Sequence, residues 1–184
     1  MNYIGYQQVK KIQQHLKNGG VIAYATESCY GFGCDPFNYN AINKLLKIKQ
    51  RPKTKGMIVI SGNKKILTRI VACDLNNPEF DRYWPGSYSI ILPTKDVVPK
   101  NLVGKHTKIA VRLTKHKQII QLSQYLHIPL VSTSANKSGM NAIKNYRECV
   151  NKFGKQVMVI KGITNFAKRP STIIDWETKN ILRG

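Results

Sequence analysis

Apolar residues recur along the chain with two periods, and these divide it into predicted helices and strands. Val9, Ile12 and Leu16 fall on one face of a helix, which predicts a helix over residues 7–18 that ends before Gly19. The short apolar run at residues 21–25 predicts a buried strand. The predicted helices span residues 7–18, 40–49, 63–73, 76–83, 116–127 and 145–153, and the predicted strands span residues 21–25, 57–61, 87–93, 108–113, 129–132, 156–161, 171–175 and 180–183.

The order of these elements predicts the fold class. Strands and helices alternate through much of the chain, but some late strands follow one another without a helix between them. A purely parallel sheet needs a crossover between successive strands, so this order favours an α/β (α+β) fold with a mixed β-sheet flanked by helices. No repeat or linker marks a boundary, and we expect a single domain over residues 1–184.

The composition is that of a globular protein, with 42% apolar and 21% charged residues. No run approaches the ~20 apolar residues of a membrane span, and the N-terminus lacks the apolar core of a secretory signal. We therefore expect a cytoplasmic protein with no membrane partner. The cysteines show no zinc-site spacing and are expected to be reduced thiols; they are Cys29, Cys34, Cys73 and Cys149.

The net charge is unusual. Lys and Arg number 30 against 9 Asp and Glu, which gives +21. Such a charge raises the local concentration of anions and predicts salt-sensitive binding to polyanions. The chain is also rich in Lys, Asn and Ile, so a compositional bias explains the charge equally well. Composition alone leaves both interpretations open.

The most concentrated basic segment is KIKQRPKTKG, residues 47–56. It lies between a predicted helix and a predicted strand, and Pro52 cannot continue the helix. Arg can bind phosphate oxygens through two parallel hydrogen bonds, and Lys acts as a compact point charge. Cations fixed at such a junction suit a polyphosphate. The alternative is a solvated basic loop, which is the more frequent meaning of a charge run.

Two further segments place polar groups at the ends of strands, where α/β proteins often bind ligands. Residues 26–35 (TESCYGFGCD) combine hydroxyls, acids, aromatics and glycines after the first strand. Residues 132–136 (STSAN) supply three hydroxyls and an amide after a buried strand, a plausible cradle for a phosphate or a carboxylate. Ordinary turns rich in small polar residues explain both segments as well.

No familiar catalytic motif or nucleophile–base pair is present. The histidines have no carboxylate near them in sequence and are expected at the surface; they are His15, His106, His116 and His127. Phosphate handling would therefore use scattered cations and hydroxyls, with catalysis by positioning and charge stabilisation.

Six motifs in one order resemble a known family over nearly the whole chain. They are GGVIAYATESCYGFGCDP, LLKIKQRPKTKGMIVI, RYWPGSYSIIL, KIAVRL, PLVSTSAN-x-SG and RPSTIID, followed by a terminal ILRG. This set resembles the YrdC-like family of threonylcarbamoyl-AMP synthases in its single-domain bacterial form. The resemblance implies a twisted mixed sheet of the YrdC/RibB-like kind with a wide basic groove.

The resemblance also implies an activity. L-threonine, bicarbonate or CO2, and ATP give threonylcarbamoyl-adenylate and pyrophosphate, which would make the chain a nucleotidyltransferase. Magnesium would be carried on the phosphates, and no protein metal site is expected. The product would pass to a tRNA threonylcarbamoyl-transferase complex that modifies the adenosine next to the anticodon, with direct tRNA binding an open question. A non-catalytic RNA-binding or ribosome-associated module on the same fold is the alternative.

Site residues follow from the resemblance motif by motif. Lys49 and Arg51 would be catalytic and hold ATP phosphates. The wider ATP-binding set is Lys49, Arg51, Lys55, Arg112, Ser134, Asn136 and Arg183, with Ser138 beside it, and the threonine-binding set is Thr26, Tyr30, Ser132 and Ser171.

The chain departs from the family pattern at Ala25, Ser87 and Ser89, where proline, proline and threonine are usual. These changes leave every implied ligand in place. Glu27, one of two acids inside the first motif, is expected to be a structural hydrogen-bond acceptor for its loop.

Overall fold

A computed structural model of the chain describes residues 4–165, 167 and 169–183. Its helices are α1 (Tyr6–Lys17), α2 (Tyr39–Lys49), α3 (Lys64–Leu67), α4 (Lys100–Val103), α5 (Lys117–Leu126) and α6 (Tyr146–Phe153), with a 3-10 helix at Pro78–Arg82. Its strands are β1 (Ile22–Ala25), β2 (Tyr30–Gly33), β3 (Ile58–Ser61), β4 (Tyr88–Pro93), β5 (Lys108–Leu113), β6 (Leu130–Ser134), β7 (Met158–Val159), β8 (Thr172–Asp175) and β9 (Ile181–Arg183).

The described strands form one mixed sheet in the order β7-β1-β2-β6-β3-β5-β4-β8-β9. The pairs β1–β7, β3–β5 and β4–β8 are parallel, and the other neighbours are antiparallel. The predicted mixed sheet with flanking helices is therefore confirmed. None of the helices in the described part of the chain has both the length and the apolar character needed to cross a bilayer. All four cysteines are free.

Two apolar cores lie on opposite faces of the sheet, and β1 shows how the sequence builds both. Its side chains alternate, with Ala23 in the larger core and Ile22 and Tyr24 in the smaller. Helices α2 and α6 pack into the larger core, whereas α1 and α5 pack into the smaller one through residues such as Ile12 and Leu122. Both faces of the first strands are buried, which explains their continuous apolar sequence.

Part of the face that carries α1 and α5 forms the floor of a cleft. The strand registers place one residue from each of five strands in a row across this face, because paired residues share a side of the sheet. The row is Ser132, Ile58, Ala110, Ile91 and Asp175, and every member lines the cleft.

Most predicted elements are confirmed to within a residue or two. The segment at 26–35, expected as a loop, contains strand β2. Its glycines are there for packing: a Cβ on Gly33 would lie 2.6 Å from both Tyr24 Cε1 and the Val131 carbonyl oxygen. The sequence also predicts a loop over residues 95–105, but these residues include the short helix α4.

Three other boundaries differ from prediction. The helix expected over 63–73 ends at Leu67, because the chain then turns so that Val71 bridges to Thr94. Strand β6 continues through Ser134, and β7 has only two residues. The sequence also predicts a loop over residues 165–170, of which residues 166 and 168 lie outside the described residues.

The loop around Gly104 packs against the basic segment, residues 47–56, and fixes its position. Lys55 bridges to Gly104, and the Lys105 N–H donates to the Thr54 carbonyl at 3.2 Å. Gly104 has φ +68°, and a Cβ there would lie 2.4 Å from the Thr54 oxygen. This close approach of two backbones requires glycine.

Replacing Gly104 with Ala should lower the free energy of unfolding by about 1–3 kcal/mol, because the new Cβ adds a clash to an unfavourable backbone conformation. Chemical denaturation monitored by circular dichroism would measure the change. Gly5→Ala is the control, since a Cβ at Gly5 would meet nothing within 4 Å and the φ of Gly5 is negative. Equal stability of wild type and Gly104→Ala would contradict this account of the contact.

Candidate active site

A cleft of about 1100 Å³ opens on the uncovered part of the sheet. It collects side chains from the ends of β1 and β6, the end of α2, the basic segment, β5, β8 and β9. All of the residues proposed for ATP or threonine binding line it except Tyr30. Those that do are Thr26, Lys49, Arg51, Lys55, Arg112, Ser132, Ser134, Asn136, Ser138, Ser171 and Arg183.

The end of α2 aims two cations at the cleft. Gln50 adopts a left-handed conformation (φ 52°, ψ 46°), and the Arg51 N–H donates to the Leu46 carbonyl at 3.0 Å. This closes the helix in a way common at C-termini. Lys49 is the last helical residue and Arg51 the second beyond it, so both side chains reach the same cleft.

The ammonium of Lys49 is enclosed by the segment after β6. Its Nζ lies 2.7 Å from the Ser134 carbonyl, 3.1 Å from Ser134 Oγ, 2.7 Å from Asn136 Oδ1 and 3.3 Å from the Asn136 carbonyl. Ser138 adds a second link between the two segments, because its N–H and Oγ both donate to the Lys49 carbonyl. The K-x-R and STSAN motifs, distant in sequence, thus form one structural unit.

Lys49 is nearly fully buried, at 4% exposure. Burial, and secondly the neighbouring positive charge of Arg51, lower the pKa of Lys49 to about 8. The surrounding oxygens are satisfied by the charged form. These contacts favour the charged ammonium and so oppose the effect of burial on the pKa of Lys49.

Arg51 and Lys55 are more accessible. Arg51 donates from Nε to the Lys55 carbonyl at 3.2 Å and from Nη2 to the Gly56 carbonyl at 2.6 Å. Burial lowers the pKa of Arg51. The backbone of the basic segment thus holds one edge of the guanidinium, while Lys55 is exposed at the cleft rim.

Arg112 enters the cleft from β5 and is 9% exposed. Its Nε donates to the Gly86 carbonyl at 2.9 Å, and its Nη2 lies 2.8 Å from Glu27 Oε1. Burial lowers the pKa of Arg112, while the Glu27 carboxylate favours the charged form. The expectation that Glu27 accepts hydrogen bonds from its own loop is wrong: its Oε1 contacts Arg112 and Thr114, and its Oε2 has no hydrogen-bond partner among the described residues.

At the far side of the cleft, Arg183 holds Ser171. Its Nη2 donates to the Ser171 carbonyl at 2.7 Å and to Ser171 Oγ at 3.0 Å. Ser171 Oγ in turn lies 2.9 Å from Ser89 Oγ. Burial, and then the charges of Arg112 and Arg51, lower the pKa of Arg183, so the three guanidinium groups share one field.

The proposed threonine-binding residues divide into two groups. Thr26 caps its own turn, with Oγ1 donating to the Cys29 carbonyl at 2.7 Å, and it lines the cleft beside Ser132. Tyr30 is fully buried, and its hydroxyl donates to the Gly162 carbonyl at 2.8 Å and accepts from the Gly162 N–H at 2.9 Å. Its side chain supports the fold behind the site instead of facing the cleft.

The cleft also contains residues that the sequence did not suggest. Lys105 and His106 reach it because the Gly104 loop packs against the basic segment. Among the described residues that line the cleft, Asp175 is the only one with a carboxylate side chain. Lys108 Nζ lies 3.4 Å from its Oδ2. Lys108 also pairs with Glu177 at 2.7 Å. For Lys105 and His106, the sequence signal was Gly104, whose loop contacts the distant basic segment.

One histidine expected at the surface is buried. His116 is 4% exposed and its Nε2 lies 3.2 Å from the Ile163 carbonyl. Burial lowers the pKa of His116, which favours the neutral ring. The side chain does not line the cleft.

The donor set does not fit a metal ion held by the protein. Within the described ranges, no three His, Cys, Asp or Glu side chains are grouped as metal ligands. Asp175 already pairs with Lys108 and accepts hydrogen bonds from the N–H groups of Glu177 and Thr178. The cleft is arranged for anions.

Known proteins share this fold and much of this sequence. The family model of the Sua5, YciO and YrdC proteins, described as "Telomere recombination", matches residues 14–184. The threonylcarbamoyl-AMP synthase of Chromobacterium violaceum is 42% identical over 181 residues, which cover 97% of this chain and 94% of that protein.

Solved structures of other proteins share this fold. E. coli YciO superposes with a TM-score of 0.83 at 25% identity, covering 96% of this chain and 88% of that one. P. abyssi Sua5 complexed with L-threonine has a TM-score of 0.85 at 24% identity, and the match covers 96% of this chain but only 54% of that longer chain. With a family model matched over residues 14–184 and a curated relative at 42% identity, the chain belongs to the Sua5/YciO/YrdC family.

Proposed function

We propose that this protein is an L-threonylcarbamoyladenylate synthase and thus a nucleotidyltransferase. The Chromobacterium relative, at 42% identity, carries the name threonylcarbamoyl-AMP synthase. The observation that carries the proposal is the convergence of the K-x-R, AVR, STSAN, PST and ILR motifs on one cationic cleft. A cleft of about 1100 Å³ is large enough for a nucleotide and an amino acid together.

The cations and the STSAN segment form the triphosphate subsite in this proposal. Arg51, Arg112 and Arg183 each hold one edge of the guanidinium against protein oxygens, which orients the remaining donors. Such fixed donors suit phosphate oxygens. Lys49 and Lys55 add positive charge, and Ser134 and Asn136 complete the subsite.

Lys49 has a special position within this subsite. An ammonium has three donors, and four protein oxygens already surround that of Lys49. A bound phosphate must therefore replace at least one of them. Lys49 then acts on the ligand and on the segment that holds the ligand.

Threonine would bind at Thr26, Ser132 and Ser171, whose hydroxyls lie around the same cleft. The Tyr30 side chain is left out of this set, because its hydroxyl is engaged with the backbone of Gly162. The Ser171 hydroxyl is oriented by Arg183 and Ser89.

The reaction proceeds in two steps under this proposal. The neutral amine of threonine attacks CO2, formed from bicarbonate, and gives a carbamate with loss of a proton. A carbamate oxygen then attacks the α-phosphorus of ATP, a new P–O bond forms, and the bond to the pyrophosphate oxygen breaks. Both reactants are anionic, so Lys49, Arg51 and Arg112 reduce their repulsion and stabilise charge on the leaving pyrophosphate.

Magnesium would arrive as part of the nucleotide substrate, since the described part of the cleft offers it no dedicated ligand set. A downstream tRNA threonylcarbamoyl-transferase complex remains the predicted recipient of the adenylate. Direct tRNA contact remains a prediction that rests on the +21 charge.

The decisive experiment measures pyrophosphate release from ATP by the purified protein with bicarbonate and magnesium, with and without L-threonine. We expect release that depends on L-threonine and is weaker with serine. A folded protein that binds RNA with strong salt dependence but releases no pyrophosphate would support the RNA-binding alternative instead.

Removing either predicted catalytic cation should reduce this activity by at least about 100-fold, because each stabilises charge in the transition state. The variants are Lys49→Met and Arg51→Gln, assayed for threonine-dependent pyrophosphate release. Lys53→Met is the matched control, since Lys53 is exposed in the same segment and does not line the cleft. Similar losses in all three variants would show that general charge, and not position, matters.

ATP affinity should fall as pH rises through the pKa of Lys49, about 8. The charged form binds phosphate, and deprotonation removes that charge. Because bound phosphate favours the ammonium, we expect about tenfold weaker binding between about pH 7.5 and 9.5. Calorimetric titration with ATP would measure it, and Lys49→Met should lack this pH-dependent step. The same step in Lys49→Met would assign the titration to another group.

A further inference from the structure

Glu27 occupies an unexpected position for an acid in an anion-binding protein. Its carboxylate lies 2.8 Å from Arg112 Nη2, just behind the cleft wall. Its side chain is 19% exposed and does not line the cleft. A negative charge here opposes the binding of phosphates through space. A favourable effect of Glu27 on a bound phosphate must therefore come through its contact with Arg112.

Arg112 is fixed from two directions. Gly86 accepts from Nε at 2.9 Å, and Glu27 Oε1 accepts from Nη2. Two contacts on different nitrogens define the plane of a guanidinium as well as its position. The other N–H groups of Arg112 are left for the cleft. Without Glu27, the Gly86 contact alone would allow the group to turn.

Glu27 is itself held by the end of β5. Thr114 Oγ1 donates to the same Oε1 atom that Arg112 contacts. Thr114 lies two residues after Arg112, on the same side of the chain, and its Oγ1 accepts from the His116 N–H at 3.0 Å. The other oxygen, Oε2, is buried with no hydrogen-bond partner among the described residues. The carboxylate is thus committed through Oε1 alone.

The loop that carries Glu27 also carries a cleft residue. Thr26 precedes it and lines the cleft, and the Glu27 carbonyl accepts from the Ala167 N–H at 2.9 Å. The Glu27–Arg112 contact therefore connects the first-motif loop to strand β5.

From this geometry we infer that Glu27 is a positioning residue: through Oε1, and with Thr114 holding that atom, it orients the Arg112 guanidinium towards the phosphates of the bound nucleotide. The inference rests on the proposed function for the identity of the ligand. Two effects of removing the Glu27 charge have opposite signs, which makes the role testable. Loss of orientation weakens the handling of phosphate, whereas loss of a nearby negative charge strengthens it.

The test uses the full chain and the variants Glu27→Gln, Arg112→Lys and the double variant. We expect Glu27→Gln to lower kcat/KM for ATP by roughly 10- to 100-fold, the effect of a small misplacement of a binding group. The kcat/KM of the double variant should lie within about threefold of that of the more impaired single variant, because the two substitutions remove the same interaction. Multiplicative losses, or a higher kcat/KM in Glu27→Gln, would overturn the inference.

Two further comparisons separate positioning from folding. Glu148→Gln is the matched control, since Glu148 pairs with Lys152 on the surface at 2.8 Å; it should leave kcat/KM unchanged. Thr114→Ser keeps the hydroxyl that holds Glu27 and should retain activity, while Thr114→Val keeps the volume but loses the donor and should lose several-fold. Equal activity of Thr114→Ser and Thr114→Val would contradict the role given to Thr114, and this pair decides the matter if Glu27→Gln does not fold.

The wild-type assay distinguishes failure of the inference from failure of the proposed function. If the wild type releases no pyrophosphate, the proposed function fails. Binding of inorganic pyrophosphate to the same variants, measured by calorimetry, then tests the inference alone. Weaker binding by Glu27→Gln than by wild type supports orientation of Arg112, and equal or tighter binding contradicts it.

Discussion

The site depends on one buried ammonium. Lys49 ends α2, and its Nζ contacts Ser134 and Asn136 across a sequence separation of more than 80 residues. An ammonium with 4% exposure is stable only if oxygens surround it, so the segment after β6 must keep its course. In return that segment fixes where the helix end can lie. Two motifs that are separate in sequence thereby become one wall of the cleft.

The arginines in the cleft follow a common design. Arg51, Arg112 and Arg183 each use some donors on protein oxygens and keep the others for the cavity. These internal contacts restrict the arginine side chains before any ligand arrives. Ligand binding therefore requires a smaller loss of side-chain entropy. Mutual repulsion among the charges is the opposing effect, and it contributes to the lowered pKa values of Lys49 and Arg183. An anionic ligand relieves this repulsion, so the free site favours anions.

The sequence predicted the elements better than their edges. Apolar periodicity located α1, α2 and α5, because each buries a single stripe. It failed at β2, where two glycines suggested a turn although the missing side chain of Gly33 allows Tyr24 and the Val131 carbonyl to approach. It also missed α4, whose burial depends on α2 and not on its own pattern.

The candidate site shows the same division. Cations and hydroxyls in motifs could be selected from sequence, and all of those except Tyr30 line the cleft. What sequence spacing could not supply was the pairing between them. The Glu27–Arg112 contact joins residues that only the sheet brings together, and the buried His116 contacts the Ile163 carbonyl from a distant segment. Residue type restricts the chemistry that a position can perform, but the partner of each charge is set by the three-dimensional fold. In this cleft the fold decides which donors of Arg112 are held by Gly86 and Glu27 and which are left for the cavity.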